Sequence, residues 1–253
     1  MKLKSKILTL VAMLAFAPTV AWAATPGAGL EGTSHDFSGK VASTGFTTGS
    51  CTFCHTPHKA LATLLLWNHT LSTSTFTWDE TKTTAGTPFA TIKGDTYKGP
   101  TAKCLSCHDG TVAIGDIAWF GEAKPTVVDA TMHTSGEFNI AAGAAAGNMK
   151  GNHPVAMPYP FNNAKNTYNL STTGAGATLT EWVADPTTSN NIRLFNDTGG
   201  VITAGTAAGT TGMECSSCHD PHNKAAKDDL FLRGKMSGKS QADGYLCLQC
   251  HIK

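Results

Sequence analysis

The pattern Cys-x-x-Cys-His occurs four times in this chain and uses every one of its 8 cysteines. The copies are Cys51-Thr-Phe-Cys54-His55, Cys104-Leu-Ser-Cys107-His108, Cys215-Ser-Ser-Cys218-His219 and Cys247-Leu-Gln-Cys250-His251. Two thiols at this spacing, with an imidazole directly after the second, make an attachment site for c-type haem. The thiols form thioethers to the haem vinyl groups, and the histidine sits under the iron. Other uses of paired cysteines fit less well. A zinc ribbon needs two facing pairs and no histidine after each second cysteine. A secreted disulfide framework does not call for one repeated two-residue spacing. A thioredoxin-like motif occurs once, beside a βαβ pattern. The motifs therefore predict four haem c groups, each on one cysteine pair, with His55, His108, His219 and His251 as proximal iron ligands.

Residues 1–23 read as a secretory signal peptide. Lys2, Lys4 and Lys6 form its basic start, and residues 7–17 form an apolar stretch too short to span a bilayer permanently. Ala21-Trp22-Ala23 fits a small-residue cleavage site. The first cysteine is Cys51, so no lipid-bearing cysteine follows the cut. No later stretch reads as a transmembrane segment. The expectation is an exported protein, extracellular or at the cell surface, with the periplasm as the alternative. Residues 24–253 are expected to form a single tetrahaem domain.

Charge narrows the partners. Only 15% of residues are charged, against about 25% in an ordinary protein. Losing the three leader lysines takes the formal charge from +1 to −2, and haem propionates add further negative charge. Nucleic-acid binding is excluded on this balance.

The motifs are unevenly spaced. Their first cysteines are Cys51, Cys104, Cys215 and Cys247, so the second interval is by far the longest and the third the shortest. The long interval is rich in Thr, Gly, Ala and Asn and has no helical period. Within it, residues 191–195, a turn at 196–200, and Val201-Ile202 read as a hairpin. Residues 240–251 are the best helix candidate. The expected fold is mostly irregular coil with a few short helices and little strand, its core built around four stacked haems. About 58 residues per haem leave little apolar side chain for an ordinary core.

Six of the 10 histidines lie outside the motifs: His35, His58, His69, His133, His153 and His222. Bis-histidine ligation of four irons takes four of them. His58 and His222 each stand three positions after a proximal histidine, just past a proline. That short stiff arm points away from its own iron and toward a neighbouring one. His35 is followed by Asp36, which can orient nearby polar groups. His153 precedes Pro154, which favours an extended backbone. These four are the candidate distal ligands. His69 is a further candidate, and His133 has no supporting context. Methionine is the main alternative distal ligand. Met132, Met149, Met157, Met213 and Met236 sit in no setting preferable to the histidines.

Ser34-His35-Asp36-Phe37, Cys54-His-Thr-Pro-His58, Trp67-Asn-His69, Cys104-Leu-Ser-Cys-His-Asp-Gly110, Asn152-His-Pro-Val155 and Cys215-Ser-Ser-Cys-His-Asp-Pro-His222 carry a family resemblance. The chain resembles multihaem cytochromes with paired Cys-x-x-Cys-His motifs, and among them the extracellular filament cytochromes of metal-reducing bacteria. The resemblance implies a subunit that stacks end to end with copies of itself, its haems forming an unbroken chain. It also implies a histidine donated across the subunit boundary. On that pattern His58 is expected to serve the haem of His219 in the next copy. The motifs at Cys215 and Cys247 are the nearest pair in sequence. His222 is therefore expected to serve the haem of His251 in its own chain.

The expected function is electron transfer, not catalysis, since two axial histidines leave no open iron position. Expected partners are other redox proteins as donors and external electron acceptors. Two rival functions remain, a monomeric periplasmic tetrahaem shuttle and a multihaem reductase with one five-coordinate iron.

Overall fold

The computed structural model describes residues 25–38, 41–43, 46–47, 49–58, 64–78, 92–93, 99–111, 116–117, 126–127, 140, 147–163, 182–188, 191–198 and 201–252. The leader segment and His133 lie outside the described residues. Short elements dominate, as the coil-like composition predicts. Strands β1 (Val41–Ser43), β2 (Phe46–Thr47) and β5 (Thr126–Val127) form a small antiparallel sheet in the order β2-β1-β5. Strands β3 (Thr75–Phe76) and β4 (Ile92–Lys93) form a two-stranded ribbon. Strands β6 (Met157–Pro158), β7 (Phe195–Asp197), β8 (Ile202–Ala204) and β9 (Thr211–Met213) form an antiparallel sheet in the order β6-β9-β7-β8. Among the described residues, no helix is long and apolar enough to cross a membrane.

Helix α1 (Pro100–His108) carries the second motif and helix α2 (Cys215–Cys218) the third. Pro100 begins α1, where its missing N–H breaks no helical bond. The two helices are joined through buried polar groups. The Thr101 N–H donates to Glu214 Oε2 at 3.0 Å, and the Cys215 N–H donates to Thr101 Oγ1 at 3.0 Å. These bonds satisfy N-terminal amides that a helix leaves without partners.

Two apolar clusters lie beside the motifs. Phe76, Trp78, Leu105, Met149, Val155 and Ala156 pack together, with Cys215 against them. Tyr159, Phe161, Ile192, Leu194, Met213 and Cys250 form the second, with Cys218 and Trp182 at its edge. Three motif cysteines, Cys215, Cys218 and Cys250, thus touch the core, while Cys51 and Cys247 are exposed.

Two sequence expectations are corrected here. The hairpin exists, but its strands are β7 and β8, paired Phe195 with Ala204 and Asp197 with Ile202. The strand starts late because β9 pairs on the other side of β7, at Phe195 and Asn196. The segment 240–251 is not a helix beyond a 3₁₀ turn at Leu246–Gln249. Gly244 has φ +79°, outside the helical region. Its backbone bonds go to a neighbouring segment: Lys235 N–H to the Gly244 carbonyl at 2.8 Å, and Leu246 N–H to the Lys235 carbonyl at 2.9 Å.

Candidate haem sites

Each motif folds into one helical turn. The proximal N–H returns to the first cysteine's carbonyl in three of them: His55 to Cys51 at 2.9 Å, His219 to Cys215 at 2.9 Å, and His251 to Cys247 at 3.0 Å. The second motif lies inside α1. Positions four apart in such a turn share a face, so the first thiol and the imidazole project together. None of the eight cysteines is in a disulfide. Among the described residues, no group of three or more His, Cys, Asp or Glu side chains is arranged to hold a bare metal ion. The thiols and imidazoles fit haem attachment.

The imidazoles pair across the chain. His55 and His222 have ring centroids 6.2 Å apart, His35 and His108 6.0 Å, and His153 and His251 6.3 Å. A metal–imidazole bond of about 2.0–2.1 Å, with about 1.1 Å more to the ring centre, sets two rings on opposite sides of one ion about 6.3 Å apart. Every pair joins one motif histidine to one non-motif histidine. This geometry contradicts the expectation that His222 stands over the site of His251; it faces His55, and His153 faces His251. The short interval after His222 doubles back on itself at Lys235 and Tyr245 and does not carry His222 toward the last motif.

Backbone carbonyls fix which ring nitrogen is free. His55 Nδ1 lies 2.6 Å from the Leu65 carbonyl, and His219 Nδ1 lies 2.7 Å from the Leu230 carbonyl. His35 Nδ1 meets the Pro221 carbonyl at 3.2 Å, and His153 Nδ1 meets the Pro154 carbonyl at 2.9 Å. A carbonyl only accepts, so each Nδ1 carries the proton and each Nε2 keeps its lone pair. Burial, and then the His108 imidazole, pull the pKa of His35 down to about 4. That ring is neutral at pH 7, the form that binds a metal.

The first and third sites are built alike. Leu65 and Leu66 have φ of +61° and +52°; Leu230 and Phe231 have +55° and +61°. Paired left-handed residues are unusual for bulky side chains. In both places they turn a carbonyl toward the proximal imidazole. The following residue then bridges that histidine, Trp67 to His55 and Leu232 to His219.

The cysteines place the sites in sequence. Burial and the nearby Cys54 thiol push the Cys107 thiol up to about 12. A hydrogen bond that the Cys215 thiol donates to Cys104, and then burial, push Cys215 up as well. Burial, Cys215 and Cys247 push Cys218 up to about 11. Burial and Cys218 push Cys250 up to about 12. Contacts give the same order. Trp67, bridged to His55, donates from Nε1 to Ser106 Oγ at 3.2 Å. The Cys215 N–H donates to Thr101 Oγ1 at 3.0 Å, and Cys218 packs in the cluster that holds Cys250. Site one thus adjoins two, two adjoins three, and three adjoins four.

His58 is exposed on the loop after the first motif, and His69 is buried with Nδ1 3.1 Å from the Thr70 carbonyl. Met149 and Met213 are core residues, and Met236 is exposed. Residues that sequence reading missed surround His222. Asp220 and Arg233 are buried and paired, Nη2 to Oδ1 at 3.5 Å. The equivalent positions of His-Thr-Pro-His58 and His-Asp-Pro-His222 point to Asp220 as a place to look. No pattern marks Arg233.

Residues 208–253 match the family model of the doubled CXXCH motif. That match spans the third and fourth sites. It supports a multihaem c-type cytochrome with covalently bound haem c and electron transfer as its chemistry. No curated protein matches the chain.

Proposed function

We propose that the chain is an exported tetrahaem electron carrier with two histidines on every iron. In this reading His222 serves the iron of His55, His35 that of His108, and His153 that of His251. The observation that carries it is one separation, 6.0 to 6.3 Å, repeated at three motifs. Bound haem supplies reversible one-electron chemistry at iron. The protein's paired histidines would hold the iron from both sides and would leave no place on it for a substrate. Its carbonyls hold each ring in the tautomer that binds. The order of neighbouring cysteines supports a path that runs from the first site to the fourth. No catalysis of a substrate reaction is assigned to it.

The three ring pairs assign no histidine to the iron of His219, and His58 is exposed on the loop after the first motif, as His222 is on the loop after the third. We assign His58 to the iron of His219 in a neighbouring copy, which makes the chain the subunit of an extracellular filament delivering electrons to outside acceptors. Intact mass of the mature chain should equal the polypeptide plus four haems. Electron paramagnetic resonance should give low-spin iron throughout. His58→Ala should keep four haems, leave about a quarter of the iron high-spin and stop polymerisation in negative-stain images. A low-spin H58A protein with normal filaments would refute the assignment. Wild-type protein that stays monomeric by size exclusion would favour a periplasmic shuttle.

A further inference from the structure

The loop from Asp220 to Asn223 touches the distal rings of two haem pairs. His222 faces His55. The carbonyl of the preceding residue, Pro221, accepts from His35 Nδ1, and His35 faces His108. One peptide link therefore lies between the orienting carbonyl of one distal ring and the backbone of the other. Nothing in the sequence joins His35 and His222, which stand near opposite ends of the mature chain.

The loop is held from three directions. Asp220 Oδ2 accepts from Lys224 N–H at 2.8 Å and Ala225 N–H at 2.5 Å, and Oδ1 accepts from His222 N–H at 3.3 Å. Burial opposes ionisation of Asp220, yet these donors and Arg233 hold its carboxyl below the usual range. Arg233 is fully buried and donates through Nε to the Ser216 carbonyl at 3.0 Å, tying the loop to α2. Asn223 clamps the segment that leads to His35. Its Nδ2 donates to the Thr25 and Gly29 carbonyls at 2.9 Å each, and its Oδ1 accepts from Gly27 N–H at 3.0 Å. The Asn223 carbonyl also accepts from Gly29 N–H at 2.9 Å.

We propose that Asp220, Arg233 and Asn223 are positioning residues that set the distal ligands of two irons at once. This rests on the ligand pairing given above. The loop acts as a common bracket: loosening it frees His222 and His35 together.

Counting high-spin iron in the full haem-loaded protein tests the bracket. His222→Ala and His35→Ala should each leave about a quarter of the iron high-spin and bind one carbon monoxide per ferrous chain. The double variant should give about a half and bind two. Asp220→Ala removes no ligand, yet should match the double variant, with four haems still attached by mass. Asn223→Ala leaves the ion pair intact and should move the same two irons, so it serves if D220A does not fold. D220A and N223A proteins that stay low-spin, or lose only one site, overturn the bracket. Low-spin iron in both single histidine variants overturns the ligand pairing instead.

Discussion

At the scale of single residues, Arg233 carries an outsized share of the stability around His222. Arg233→Met leaves Asp220 buried with only its backbone donors from His222, Lys224 and Ala225, which destabilises by about 3 kcal/mol, the low end for a broken buried pair. Chemical denaturation of the haem-loaded protein should show the loss, and an unchanged midpoint would mean that the pair is not a stabilising contact. His153 lies at the opposite end of the site series. His153→Ala should leave the last iron with one axial ligand, visible as carbon monoxide binding to the ferrous protein. Its haem count should stay at four, since the thioethers do not depend on it. These two residues differ in how far a sequence betrays them. The motif cysteines stand out by their spacing, and His153 could be picked out as a candidate ligand because it lies outside a motif. Arg233 could not, because surface arginines outnumber buried ones and burial is a property of the fold.

At the scale of elements, type was easier to read than place. Short helices at the motifs were expected, and α1 and α2 are there. The hairpin moved because β9 claims β7 from its other side, and pairing between segments far apart in sequence leaves no local trace. The 240–251 helix was lost to contacts with Lys235, which a local window does not see. Gly147 marks a similar long-range contact. Its backbone has φ +84°, and an added Cβ would lie 2.1 Å from the Thr75 carbonyl oxygen. The residue runs beside β3, where Thr77 N–H donates to the Gly147 carbonyl at 3.0 Å. Gly147→Ala combines overpacking with a left-handed penalty, together about 3 kcal/mol. Thermal unfolding should show a lower midpoint with an unchanged spectrum. A variant as stable as the parent would mean that the close approach is not kept in solution.

At the scale of the whole molecule, the small number of charges matters. Few like charges oppose association of copies, and few surface ion pairs hold them together. The proposed assembly should therefore persist in about 1 M salt, where exposed charges interact over only about 3 Å. Light scattering across a salt series measures this, and dissociation to monomers at high salt would count against it.

The imidazole pairs also set a timetable. His35 faces His108, His153 faces His251, and His55 faces His222, the widest of the three spans along the chain. A chain made from its N-terminus presents Cys51, Cys54 and His55 long before the loop that faces them exists. Under the proposed pairing, the first attachment site to emerge is among the last to be closed. A truncated or stalled product ending before His222 carries an incomplete first site, however well its own cysteines are formed. Under that pairing, completion of the earliest site reports that the chain has been made at least as far as His222.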